Sequence, residues 1–380
     1  MAGKQKIKVG VIFGGRSGEH EVSLNSAKSV MAALDQEKYE VVPIGITKNG
    51  RWLAGDAMAA LSDGQAGSEM ATLLPDPESS ALMKMETAET QPTGLTAVTE
   101  LDVIFPVLHG TYGEDGTVQG LLELAGIPYI GAGVVGSAVG MDKAVFKYVM
   151  QANAIPVLPW LLFPKSDWEK RPSSIIDDIE TKLAYPVFTK PANLGSSVGI
   201  QKCSNRTELE AGMNEAAEYD RRIIVEQGIN VRELEVSVMG NDQPLASVVG
   251  EIRPRRDFYD YTAKYLAEPG SEEDSELIIP AELSEEISDQ IRELAVNAYK
   301  AIDCAGLGRV DLLMDKDTGK LYLNEINTIP GFTNISMYPK LWEATGIGYS
   351  ELLDRLIGYA LERFDEKDGL RTTFGEESKE

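Results

Sequence analysis

The sequence predicts an α/β protein that opens with a doubly wound sheet and becomes strand-rich towards its C-terminal end. Three observations carry that expectation. Buried-strand runs alternate with helically spaced apolar positions from residue 8 to about residue 125, the pattern of a parallel sheet wrapped by helices. The 380 residues suffice for two or three hydrophobic cores. The 43% apolar and 25% charged shares are those of an ordinary globular chain, which excludes disorder and collagen.

The elements follow in order. Residues 8–13 read as a buried strand, followed by a Gly-rich turn, a helix over 23–34 and a second strand over 39–46. Residues 54–100 are diluted with Ser, Asp, Glu, Thr and Pro and read as an exposed insertion. A buried strand at 101–108 and a helix at 116–125 complete the first unit, which ends near Gly140. A helix is expected over 141–152, Pro-punctuated strands over 157–163 and 185–190, a helix over 207–218 and a strand over 222–226. From Val231 strands dominate: 234–239, 245–252 and 277–280, then a helix over 284–302 capped by Ser284. Strands 308–315 and 320–326 should pair across the turn 315–319, and residues beyond 364 read as a frayed tail.

A formal charge of −24 argues against a general DNA or RNA binder, whose affinity rests on Lys and Arg at phosphates, and against anionic membrane surfaces. It does not exclude one small anion held by a few cations. The acidity is concentrated in residues 54–101, 268–293 and 364–380, which together hold most of it. Cys203 and Cys304 form no disulfide framework or metal knuckle and read as thiols of a reducing cytosol. No apolar run approaches the roughly 18 residues of a spanning helix, and the N-terminus reads as a first strand rather than a signal peptide.

Several clusters carry chemistry. Gly131-Ala-Gly133-Val-Val-Gly136 matches a dinucleotide fingerprint by letter, but no acidic residue follows where a ribose clamp is needed, so it reads as a structural turn. Glu19-His20-Glu21 opens a helix after a glycine turn, and His109-Gly-Thr-Tyr-Gly113-Glu-Asp-Gly116 follows a strand, so both histidines of the chain fall at the ligand edge of a sheet. Lys190 precedes a Gly/Ser loop running to Gly199, suited to phosphate oxygens although it is not a Walker A sequence. Asp311, Glu325 and Asn327 make an oxygen-only set across a hairpin, suited to Mg2+ beside phosphates. Arg309 shares the face of Asp311, where a fixed cation can hold a phosphoryl group or an oxyanion, and Pro330-Gly331 bares a backbone N–H at a turn. Arg253-Pro-Arg255-Arg256 and Asp260-Tyr261-Thr-Ala-Lys264-Tyr265 add cations and phenols.

In order along the chain these segments spell G-G-x-S-x-E-x-E-V-S, H-G-x-x-G-E-D-G, K-P-x-x-x-G-S-S-V-G, Y-D-Y-x-x-K-Y, G-x-x-R-x-D and N-E-x-N-T-x-P-G. With them the chain resembles the D-alanine–D-alanine ligases of the ATP-grasp superfamily over residues 5 to 362. The resemblance implies three domains: an N-terminal α/β substrate domain over 1–140, a central domain over 141–230 and a C-terminal domain over 231–380, the last two clasping ATP. It implies that a first D-alanine is phosphorylated on its carboxyl by ATP and that the amine of a second attacks the acylphosphate.

By the same resemblance Lys143 and Lys190 contact ATP phosphates, Lys264 the γ-phosphate, and Ser197 and Asn324 belong to the ATP site. Glu226, Gln227 and Ile229 form the adenine-side hinge, Phe258 packs on the base and Glu233 holds the ribose. Asp311, Glu325 and Asn327 hold two Mg2+ ions, with Mn2+ as an alternative metal. Glu19 fixes the first ammonium group, Arg309 and the Gly331 N–H stabilise the oxyanion, and Ser196 and Tyr265 link closing loops to Glu19. His109, Ser336 and Met337 line the amino-acid site. Tyr265, replaced in relatives that prefer D-lactate, favours D-alanine as acceptor, with D-serine the alternative. A cytoplasmic homodimer without nucleic-acid or membrane partners completes the expectation.

Overall fold

The computed structural model describes residues 5–63, 68–88, 91–195, 198–253 and 275–371, and these form three sheets. In the first, β1 (Ile7–Gly14) pairs in parallel with β2 (Tyr39–Ile46) on one side and β7 (Val103–Val107) on the other. Helix α1 (His20–Ala33) packs on one face of this trio through Leu24, Ala27 and Val30. Helix α3 (Thr117–Leu124) covers the other through Val118 and Leu122. The parallel, doubly wound expectation therefore holds for these strands.

It fails for the stretch read as an exposed insertion. Beyond β2 the sheet continues antiparallel through β3 (Trp52–Gly55), β4 (Ser68–Leu73), β5 (Ala81–Ala88) and β6 (Gln91–Glu100), with α2 (Ala57–Asp63) between β3 and β4. Ala71, Leu73 and Leu82 join a core with Ile44 and Leu101. An antiparallel meander can leave one face in water, and its half-polar composition then resembles that of a loop. Leu82→Ala is accordingly expected to cost about 2–5 kcal/mol of stability, as for a core leucine. A melting temperature unchanged from the parent would return this segment to the surface.

The Gly-rich passage after residue 130 is also more structured than expected, because it contains α4 (Val134–Met141). Gly136 faces the Asp303 carbonyl so closely that a Cβ there would stand 2.8 Å from it. Gly136 therefore serves the close packing of α4 against the backbone at Asp303.

The second sheet, in the order β10-β9-β11-β8, is antiparallel: β8 (Trp160–Pro164), β9 (Val187–Pro191), β10 (Gln201–Cys203) and β11 (Arg222–Gln227). Helix α5 (Lys143–Ala152) leads into it, and α6 (Lys165–Lys170), α7 (Pro172–Lys182) and α8 (Arg206–Tyr219) surround a core that includes Trp168, Ile176, Met213 and Val225.

The third sheet, in the order β14-β13-β12-β15-β16, contains β12 (Val231–Met239), β13 (Leu245–Arg253), β14 (Glu276–Ile278), β15 (Leu307–Asp315) and β16 (Leu321–Asn327). Helix α9 (Glu285–Ala301) lies on one face, and the Ser284 hydroxyl accepts from the Ile287 N–H at its start. Helix α10 (Met337–Ala344) covers part of the other.

The last helix, α11 (Tyr349–Asp368), returns to the first sheet. Its Leu352, Leu353, Leu356, Ile357 and Ala360 share a core with Val9, Val11 and Phe105. Arg363 donates to the Tyr129 and Gly131 carbonyls, and Lys367 pairs with Glu123. These contacts carry the helix past Phe364, where fraying was expected; residues 372–380 lie outside the described residues.

Candidate active site

The third sheet builds one side of the site. Along β15, Val310, Leu312 and Met314 enter the core, so Arg309 and Asp311 take the opposite face. Cross-strand partners share a face: Arg309 lies opposite Ser237 and Asn327, and Asp311 opposite Glu235 and Glu325. On β16 the pairing slips. Asp311 meets Glu325 but Leu312 meets Leu323, which leaves Asn324 as a bulge residue. The bulge lets Leu323 and Ile326, three apart, both reach the core while Glu325 and Asn327 remain beside Asp311.

Within this face Arg309 grips Asp311 as a fork. Nε donates to Oδ1 and Nη2 to Oδ2, both at 2.7 Å, and Nε lies 3.0 Å from Oε2 of the buried Glu235. The Asn327 amide donates to Asp311 Oδ2 at 3.0 Å. Among the described residues no group of three or more His, Cys, Asp or Glu side chains gathers as a metal cage. Two carboxylates and one amide oxygen do fit Mg2+, which takes one or two protein carboxylates and completes its shell from water and phosphate.

Helix α5 and the second sheet supply cations. Asp142 caps α5 by accepting from the Val145 N–H at 3.0 Å and pairs with Arg222. Lys143, the first residue of the helix, donates to the Leu194 carbonyl at 2.8 Å and approaches Glu325 Oε2 to 3.8 Å. One turn on, Lys147 is buried against Glu226, whose other oxygen accepts from Lys190. Burial alone would raise the Glu226 carboxyl, but Lys147 and then Lys190 overcome it and hold it at about 2. Gln227 binds the Ala184 and Gly228 carbonyls through its amide, Ile229 is half-buried, and Glu233 stands on β12 two residues before Glu235.

The first sheet supplies the third side. Glu21, on the outer side of α1, pairs with Lys48 at the surface, whereas Glu19 is 6% exposed. A Cβ added to Gly110 would stand 2.7 Å from Glu19 Oε2 and one on Gly195 3.7 Å from it, so the loop after Lys190 reaches the Glu19 carboxylate. Gly110 has φ of 75°, a left-handed conformation natural to glycine. His20 is buried with Nδ1 on the Gly15 carbonyl at 2.8 Å. His109 is also buried, and both its ring nitrogens are engaged, Nδ1 by the Ile329 carbonyl and Nε2 by the Ser26 hydroxyl. Burial, more than the opposing pull of Glu19, lowers its pKa and keeps the ring neutral.

Gly331 sits beside Ser336, whose hydroxyl accepts from the Thr333 N–H at 3.1 Å. The Met337 side chain is buried with Ile252 and Leu341. What it offers a ligand is the main chain at the start of α10. Ser196, Ser197, Phe258, Lys264 and Tyr265, five of the residues expected at the site, lie outside the described residues. Contacts link residues of all three sheets: the Gly195 position to Glu19, Lys143 to Glu325 and His109 to the Ile329 carbonyl.

Four neighbours escaped sequence reasoning: Ser26, Glu114, Lys147 and Glu235. The signals were weak but present. Lys147 follows Lys143 by four residues on a helix, Glu235 follows Glu233 by two on a strand, and Glu114 lies inside the His109–Gly116 cluster. Ser26 has no signal beyond its place on an apolar helix face.

Three sheets, with an N-terminal α/β unit and Lys143 facing the acidic hairpin of β15 and β16, define an ATP-grasp ligase architecture. The family described as D-ala D-ala ligase N-terminus matches residues 8–132, and that described as D-ala D-ala ligase C-terminus matches residues 149–358. The chain is 50% identical over 375 residues to a D-alanine–D-alanine ligase of Natranaerobius thermophilus, covering 98% of this chain and 100% of that one. It is 46% identical to one from Geobacillus kaustophilus, covering 98% and 100%. Among solved structures it resembles the VanG D-Ala:D-Ser ligase from Enterococcus faecalis (TM-score 0.80, 36% identity, 94% of this chain and 100% of that one). It also resembles the D-alanine–D-alanine ligase from Coxiella burnetii (TM-score 0.78, 35% identity, 96% and 97%). This chain belongs to the D-alanine–D-alanine ligase family.

Proposed function

We propose that the protein joins two D-alanine molecules at the expense of ATP, releasing ADP and phosphate, and so supplies the dipeptide for peptidoglycan precursors in the cytoplasm. The observation that carries this reading is the approach of Lys143 to Glu325 beside the Arg309–Asp311 fork, which brings a phosphate-binding cation, a metal-type carboxylate and an oxyanion cation together. Lys143, Lys190 and Lys264 hold the phosphates, Asn324 and Ser197 border them, and Gln227, Ile229, Glu233 and Phe258 border the nucleoside. Glu226 anchors Lys190 on that side of the site. Asp311, Glu325 and Asn327 hold Mg2+ or Mn2+, which when bound screens the phosphate charge.

Glu19, a carboxylate at the ligand edge of the first sheet, binds the ammonium group of the first D-alanine. The carboxylate oxygen of that D-alanine takes the γ-phosphoryl group of ATP, giving a D-alanyl phosphate and ADP. The second amine, placed by Ser196, Tyr265, Ser336 and the start of Met337, attacks the acyl carbon and loses a proton. Arg309 and the Gly331 N–H stabilise the oxyanion of the tetrahedral intermediate, whose collapse releases phosphate. His109, with both nitrogens occupied, acts on the amino-acid site through the backbone it holds. We assign these steps to three domains, 1–140, 141–230 and 231–380, and to a homodimer.

An acceptor panel tests the reading. With Mg-ATP, D-alanine should release phosphate and form dipeptide faster than D-serine or D-lactate offered as second substrate. A faster reaction with D-serine would move the chain to the specificity named for its Enterococcus relative, and no phosphate release with D-alanine would end the ligase reading.

A further inference from the structure

The turn over 328–332, which carries Gly331, is held from the first sheet by side chains of the opposite end of the chain. The Ile329 N–H donates to Glu114 Oε1 at 3.1 Å, and Glu114 Oε2 accepts from the Gly110 N–H at 2.6 Å. The Ile329 carbonyl can only accept, so His109 Nδ1 carries the proton in their 2.8 Å contact. In a neutral ring Nε2 is then an acceptor, which makes Ser26 the donor in the 3.0 Å contact between them. The Ser26 oxygen is thereby left to accept from the Phe332 N–H at 3.2 Å.

The bonds form a directed circuit that starts at the Phe332 N–H, runs through Ser26 and His109, and ends on the Ile329 carbonyl. Ser26, His109 and Glu114 are all buried, so water does not compete for these groups. Pro330 has no N–H. Of the donors from 329 to 332, those of Ile329 and Phe332 are taken by side chains. Among the described residues the Gly331 N–H has no protein partner.

We propose that Glu114, together with Ser26 and His109, is a positioning residue for the reaction: the circuit fixes the 328–332 turn so that the Gly331 N–H is aimed at the developing oxyanion. The proposal rests on the ligase reading above and adds to it the device that sets the donor in place before substrate arrives. A donor aimed in advance costs no reorganisation during reaction, whereas a loosened turn of this kind forfeits most of its effect. The same bonds make the first sheet and the catalytic turn one unit.

The test is steady-state kinetics on the full-length chain with Glu114→Gln and Ser26→Ala. The Gln side chain keeps one acceptor and places an NH2 group against a backbone N–H. Glu114→Gln should lower kcat about a hundredfold and Ser26→Ala about tenfold, the range expected when a reacting group is displaced by up to an ångström. KM for ATP should be unchanged in both, because the nucleotide cations lie on other elements. Should Glu114→Gln fail to fold, Ser26→Ala, which removes one atom, carries the test. An unchanged kcat in an active parent background overturns the circuit's role and leaves the ligase reading intact. So does a rise in ATP KM in step with the fall in kcat, which marks general loosening. A parent chain that makes no dipeptide overturns both.

Discussion

Arg309→Ala is expected to lower kcat by about 10²–10³-fold, the cost of removing one preorganised donor from an oxyanion site, with little change in KM for ATP. The guanidinium is only partly buried but is fixed on three sides, by the Asp311 fork, by Glu235 and by its place on β15. That rigidity makes it useful to a transition state, since little side-chain entropy is left to lose when the oxyanion forms. Arg309→Lys keeps the charge but cannot span both Asp311 oxygens, so it should recover only part of the loss. Dipeptide formation by Arg309→Ala at the parent rate would remove the transition-state role.

Glu226→Gln is expected to destabilise the fold by about 3–5 kcal/mol, because it strands a buried ammonium group without its counter-charge. Lys147 has 3% of its side chain exposed and Lys190 14%, and both depend on the one carboxylate. Denaturant midpoints measured against pH check the assignment with a definite sign. The carboxyl is depressed from the usual 4.5 to about 2 in the folded protein, so its contribution is complete above about 4.5 and disappears as pH falls through about 2. The parent should lose stability on acidification in that window more steeply than Glu226→Gln. Parallel acid profiles would show that Glu226 is not the linked group.

The core of the site was legible because its chemistry is local. Arg309 and Asp311, two apart on one strand, and Glu325 and Asn327, two apart on the next, need only a hairpin to meet, and the turn 315–319 announces that hairpin. The bulge at Asn324 was not legible, since it is the pairing of Leu323 with Leu312 that reveals it. Composition and spacing did not separate Glu19 from Glu21; the family resemblance chose Glu19, and the docked α1 buries it while leaving Glu21 with Lys48 at the surface. The meander over β3 to β6 was hidden because its strands bury one face lightly, and α4 because Gly136 and Gly140, which its close packing uses, read as turn residues. Groups that act across the whole chain, such as Ser26 with Phe332, 306 residues apart, leave no mark on local sequence.

Helix α11 has a consequence for how the protein is made on the ribosome. The face of the first sheet that holds Val9, Val11 and Phe105 is covered partly by α1 and partly by Leu352, Leu353, Leu356 and Ile357 of α11, which are translated long after β7. At roughly 5–20 residues per second, the first sheet waits some tens of seconds after its own strands emerge before the rest of its cover arrives. During that interval the part of this apolar face that α1 does not cover is exposed, and chaperones that bind such surfaces should find it there. Emergence of α11, rather than completion of the first sheet's own strands and α1, is then the event that closes this core.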